Sequence, residues 1–164
     1  MAIYTATFAA IGVAAAQDLF EIVAPSNSRV KINSIEIGQY TDFGDAAAEI
    51  LSMQLIRGFT TTGSGGAAVT PANISGITGS PSAGSTVARN NTTVAQDGTG
   101  LILLANSWNI QAPWVYQPRR DVDPTRDERI ILAPSQRLVL RVTAPADSLT
   151  TNGTLIFEEV GQMP

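Results

Sequence analysis

The sequence predicts an all-β protein, a jelly-roll-type antiparallel β-sandwich carrying a long Gly/Ser/Thr-rich insertion or arm. Three observations predict it. Short apolar runs alternate with polar residues at period two, clusters of Gly, Pro, Asn and Asp separate them, and no long stretch carries the period of an amphipathic helix. A length of 164 residues suits a single sandwich domain over 1–164 with one core.

The runs follow in order. Residues 1–16 are apolar but hold no basic residue, the first being Arg29, so a secretory signal is not expected and the segment reads as an N-terminal arm or strand, with Ile3 to Ala9 its regular part. Phe20, Ile22 and Ala24 alternate around Glu21 until Pro25 ends the run. Between Arg29 and Gly38 the phase changes: Val30 and Ile32 share one parity, Ile35 and Ile37 the other. A one-residue slip turns every later side chain to the opposite face, so a β-bulge or a crossing between sheets is predicted at Asn33-Ser34.

Leu51, Met53 and Leu55 form the next alternating run. Leu101 to Ser107, Gln111 to Tyr116, Arg129 to Leu132 and Thr154 to Glu159 complete the apolar set. Leu138, Leu140 and Val142 lie on one face of a further strand, with Arg137 and Arg141 on the other. Turns are expected at Pro25-Ser26-Asn27, Pro134-Ser135-Gln136 and Asn152-Gly153.

Residues 60–100 stand apart, with Arg89 and Asp97 their only charges and no aromatic side chain. A structureless stretch of that length inside a compact domain is unusual and tends to be functional. It is expected to be an extended loop region, an arm or irregular hairpins docked on a surface, with Val69, Ile74, Ile77, Val87 and Val94 as anchors and contacts with a neighbouring molecule as its role. A mobile surface loop is the alternative.

Composition narrows the function. The chain has no histidine and no cysteine, which removes the side chains best suited to proton exchange near neutral pH and to nucleophilic attack. A Ser-His-Asp triad is impossible, and Gly63-Ser64-Gly65-Gly66 lacks the lysine of a phosphate-binding loop. No enzyme is expected, and no cofactor or metal. A net charge of -4 offers no general attraction for nucleic acid or anionic membrane, and no apolar run is long enough to span a bilayer. Charged residues are only 15% of the chain, against roughly 25% in an average domain, so much of the surface is neutral or covered by a partner.

Two clusters are candidate sites. The stretch from Arg119 to Arg129 holds Arg119, Arg120, Asp121, Asp123, Arg126, Asp127 and Glu128. It reads as a self-paired solvated loop or an intersubunit ion-pair contact, with Ca²⁺ binding and carboxylate catalysis as further alternatives. Trp114 and Tyr116 share parity, and such a pair fits a core, an oligomer or partner interface, or a sugar-stacking platform.

Leu19-Phe20-Glu21-Ile22, the run from Arg57 to Gly66, Pro134-Ser135-Gln136-Arg137-Leu138 and the run from Gly153 to Glu159 resemble small β-rich virion proteins of tailed bacteriophages. Capsid cement or decoration proteins, often trimeric jelly rolls, are the closest in size and character. The resemblance implies a structural protein of the capsid surface, made in the host cytoplasm, that binds between major capsid subunits as a homotrimer, with residues 60–100 making intersubunit or capsid contacts. A phage tail-fibre or carbohydrate-binding module is the alternative.

Overall fold

A computed structural model describes residues 2–40, 49–74, 81–118 and 127–161. Among these, twelve strands follow one another: β1 (Ala2–Val13), β2 (Gln17–Val23), β3 (Arg29–Gln39), β4 (Ile50–Thr61), β5 (Ala67–Val69), β6 (Ala72–Asn73), β7 (Thr86–Asn91), β8 (Gln96–Asn109), β9 (Trp114–Tyr116), β10 (Ile131–Leu132), β11 (Arg137–Val142) and β12 (Leu149–Val160). They form two antiparallel sheets. One has the order β10-β3-β12-β1-β6, with β9 also on β3; the other is β5-β7-β2-β11-β4-β8. The long strands β1 to β4 alternate between sheets, and β11 and β12 return to lie between β2 and β4 and between β1 and β3. This is a jelly-roll winding, as predicted.

The alternating side chains face each other across the sandwich. Tyr4, Phe8, Ile32, Ile35, Ile37 and Phe157 of the first sheet meet Phe20, Ile22, Met53, Leu55, Leu138 and Leu140 of the second. The Phe8 and Phe20 rings lie 5.0 Å apart, centroid to centroid. Gly153 leaves the space they fill: a Cβ there would come 2.9 Å from the Phe20 ring and closer still to Phe8.

The phase slip in β3 is a bulge. Ile156 of β12 opposes Ser34 and the next residue, Phe157, opposes Ile32, so Asn33 is the extra residue. Val30, Ile32, Ile35 and Ile37 are consequently all buried, although their parities differ.

β9 and β10 are two halves of one strand. β9 pairs with Ile35–Ile37 and β10 with Val30 and Lys31, both antiparallel to β3, and the Ile32 N–H donates to the Ile130 carbonyl at 2.9 Å. Residues 117–118 and 127–129, on either side of the segment that joins the halves, are not strand. The expected strands 111–116 and 129–132 are accordingly shorter than their apolar runs.

Residues 60–100 are the predicted insertion, but their described part is largely strand rather than loop. It completes β4, adds β5 and β7 beside β2, places β6 on β1 and opens β8. Short strands with few large side chains carry little period-two signal; here they are specified by the edges they join. In the N-terminal segment, expected as an arm or strand, residues 2–13 are strand, and β1 sits between β12 and β6.

Candidate functional site: an uncharged sheet edge and the ion pairs around it

The outer face of the second sheet carries charge that stays inside the molecule. Arg137 Nε donates to Glu21 Oε1 at 2.6 Å, and Arg141 Nε donates to Asp18 Oδ1 at 2.7 Å; both carboxylates are buried. The insertion completes their coordination. Glu21 Oε2 accepts from the Gly63 N–H (3.0 Å) and Asn91 Nδ2 (2.8 Å), and Asp18 Oδ2 accepts from the Ala95 N–H (2.7 Å). Arg137 donates onward to the Phe59 carbonyl and Thr62 Oγ1, while Arg141 donates to the Ala95 carbonyl and lies 4.9 Å from the Phe59 ring centre.

The described insertion is therefore a strap over its own sheet, not an arm awaiting a neighbour. Each buried carboxylate needs several donors, and the Gly63 and Ala95 N–H groups with the Asn91 side chain supply those that the arginines do not. Gly58 and Gly98 let the β4–β8 ribbon bend onto that face. Both have positive φ, and a Cβ on either would meet a carbonyl oxygen at 2.5 Å.

At the neck of the charged excursion, Asp127 is held by a two-pronged Arg129 fork, Nε to Oδ1 and Nη2 to Oδ2, both 2.7 Å. Lys31 adds a contact to Asp127 Oδ2 at 2.9 Å, and Arg129 Nη1 donates to Glu158 at 2.7 Å. The Arg129 hydrogen bonds hold the Asp127 carboxyl far below the usual carboxylate range, and the same contact raises Arg129. Both Asp127 oxygens accept from cationic side chains. Arg119, Arg120, Asp121, Asp123 and Arg126 lie outside the described residues, as does Ile77.

The aromatic pair turns inward. Trp114 opposes Ile37 and is buried, so it is a core residue and not an exposed interface or sugar platform. Tyr116, half-buried, accepts the Ile130 N–H on its hydroxyl oxygen at 3.2 Å and so ties the two ends of the excursion. Burial raises its pKa first, and the Asp127 charge adds to that. Val115, between them, points out and is exposed.

The insertion anchors divide as well. Val87 is buried in the core, which corrects the expectation that it contacts a partner; Val69 packs half-buried against the core, and Ile74 is exposed beside Ile3, whose carbonyl accepts the Ile74 N–H.

What sequence reasoning missed is the outer edge of β8. Among the described residues this strand of 14 residues pairs only with β4 and ends the second sheet. Leu101 and Ile102 are about half exposed, at 50% and 51%, and Ala105, Asn106 and Ser107 are also exposed. The ladder with β4 breaks near Leu103 and again near residues 99–100, but runs unbroken from Leu104 to Asn109. The signal was present in the chain: no charged residue occurs from Gly98 through Pro118. Natural edge strands are usually guarded by charge, Pro, bulges or brevity; β8 has Asp97 and two bulges in its first half, and in its second half the Ser107 N–H donates to Asn106 Oδ1 at 2.9 Å, but no charge or Pro guards that half.

The fold and its surface define a jelly-roll β-sandwich with internally paired charge and one long neutral edge. No family model, curated protein or solved structure matches the chain.

Proposed function

We propose that this protein is a non-catalytic structural subunit of a tailed-phage virion, a capsid cement protein that self-associates and binds between major capsid subunits. The uncharged β8 edge carries the reading. It offers a row of backbone donors and acceptors flanked by exposed Leu101 and Ile102, a surface suited to adhesion by strand addition. Ion pairs elsewhere are consistent with it, because Arg141, Arg137 and Arg129 are already engaged with Asp18, Glu21 and Asp127. Repetition on a shell converts modest contacts into firm attachment through avidity.

The carbohydrate-binding alternative needs Trp114 and Tyr116 on a ligand surface, and their positions in the fold do not favour it. The test is co-sedimentation with purified phage heads that lack the protein, beside an array of host glycans. Saturable binding to heads alone is the expected result. Binding to glycans and not to heads overturns the cement reading.

A further inference from the structure

We infer that residues 59–97 form a latch, a module that lifts from the rest of the sandwich and redocks as one unit without global unfolding, whether or not the chain belongs to a virion.

The body is complete without the module. With β9 and β10 taken as one strand, the remaining strands give two four-stranded sheets, β9/β10-β3-β12-β1 and β2-β11-β4-β8, which is an eight-stranded jelly roll. The module adds β7 and β5 beyond β2, and β6 beyond β1, so it occupies sheet ends and interrupts no ladder of the body. It joins the body at Gly58 in β4 and Gly98 in β8. Both are left-handed (φ 99° and 72°), as is Asp97 (φ 60°), so the two crossing strands bend at one level.

Internal bonds make the module one piece. β5 pairs with β7, Ser64 and Thr93 exchange two backbone hydrogen bonds of 2.8 and 2.9 Å, and Thr61 Oγ1 donates to Asp97 Oδ2 at 2.6 Å.

Its seat on the body is largely polar. Besides the donors that Gly63, Asn91 and Ala95 give to Glu21 and Asp18, Glu159 accepts from the Gly84 N–H (3.1 Å) and from the Ser85 N–H and hydroxyl (both 2.7 Å). Gln17 Nε2 donates to Asn90 Oδ1 at 3.0 Å, and the Tyr4 hydroxyl donates to the Pro81 carbonyl at 3.2 Å. Among the described hydrophobic side chains of the module, Val87 and Ala95 are buried, while Phe59, Val69 and Ala83 are half-buried. A hydrogen bond released to water loses little net free energy, whereas apolar burial is lost in full, so this seat parts before the core under β3 and β12. Lifting rehydrates Asp18 and Glu21, which keep Arg141 and Arg137, and bares the β2 edge from Asp18 to Val23.

Hydrogen exchange of the full-length chain, in urea below its unfolding transition, reads such openings residue by residue. Amides of Gly63, Ser85 and Ala95 and the hydrogen-bonded amides of β7 are expected to share one protection factor, about tenfold or more below that of the β3 and β12 amides. A second measurement fastens the latch. Val23 and Thr86 face each other across the β2–β7 ladder, so Val23→Cys/Thr86→Cys bridges module and body in a chain with no other cysteine. The oxidised bridge should slow exchange at Gly63 and Ala95 by about tenfold more than it slows β3 and β12.

Module amides as protected as those of β3 and β12 overturn the latch. So do module amides with unrelated protection factors, or a bridge that slows β7 while Gly63 and Ala95 exchange as before. If the bridge does not close, the protection factors of the parent chain decide alone.

Discussion

Replacing Arg137 by methionine isolates the energetics of the strap. The methionine fills much of the aliphatic volume of the arginine but removes the guanidinium that meets Glu21 at 2.6 Å, and it also cuts the tethers to Phe59 and Thr62. The side chains of the pair are only 11% and 2% exposed, so water does not readily replace the lost partner. Breaking a buried pair by removing one member costs about 3–5 kcal/mol. The upper half of that range applies to a lone charge, and Glu21 keeps two donors, Gly63 and Asn91, so about 3 kcal/mol is expected. Adding Glu21→Gln removes the stranded charge while its amide oxygen can still accept from those two donors, so the double variant should recover about 1–2 kcal/mol relative to Arg137→Met. Urea unfolding followed by tryptophan fluorescence measures both, because Trp108 and Trp114 are buried. Hydrogen exchange should localise early opening to residues 59–66. A single variant within about 1 kcal/mol of the parent, or a double variant as unstable as the two single losses added together, would refute the reasoning.

Asp127→Asn should cost at most about 1 kcal/mol near neutral pH, because its pair with Arg129 and Lys31 is partly open to solvent. Its folded pKa lies below the unfolded value of about 3.9, so its stabilisation is present above that value and lost as pH falls through the lower folded one. Unfolding curves of parent and variant should therefore converge in strong acid, and a gap that widens there contradicts the assignment. Trp114→Ala should cost about 3–5 kcal/mol as a core truncation, while titration of the parent with host sugars leaves its fluorescence unchanged; a saturable sugar response lost in the variant would restore the carbohydrate reading. Gly153→Ala should cost about 1–3 kcal/mol by crowding the Phe8 and Phe20 rings, read as a lowered unfolding midpoint, and an unchanged midpoint would mean that the rings yield freely.

How far the sequence carries depends on whether a signal is local. The bulge at Asn33 was legible because a change of parity within one run requires either an extra residue in the ladder or a strand that crosses between sheets. The strand faces around Leu138 and Leu140 were legible because alternation within a single run assigns each side chain to a face. Parity does not say which strands become neighbours, so the meeting of Glu21 with Arg137, 116 residues away, could not be read from either strand. Trp114 shows the same limit. Its shared side with Tyr116 followed from spacing, but the inward direction came from pairing opposite Ile37. In residues 60–100 the small side chains left no periodic record, and the strands there take their register from β2 and β1. The neutral tract from Gly98 to Pro118 was legible, yet its meaning depended on β8 being last in its sheet, a property of topology and not of the strand.

The distribution of edges is the strongest physical reason to regard β8 as functional. Beside β2 the second sheet continues through β7 to β5, a strand of three residues; the first sheet ends in β6, of two residues, and in β9 and β10, of three and two. Beyond β6, the edge of β1 is interrupted by its bulge near Ala10, whose N–H is taken by the Asn152 side chain at 2.8 Å. Most of the insertion thus covers or shortens edges on one side of the sandwich, and the split of β9 from β10 shortens one on the other. Protecting β8 in the same way would take only a lysine or a proline in its exposed positions, a small change compared with building a strap. Among the described residues β8 is thus the longest edge strand, and it carries no charge from Gly98 to Asn109, so an unguarded exposure of that length is an aggregation hazard unless the contact proposed for it occupies the edge.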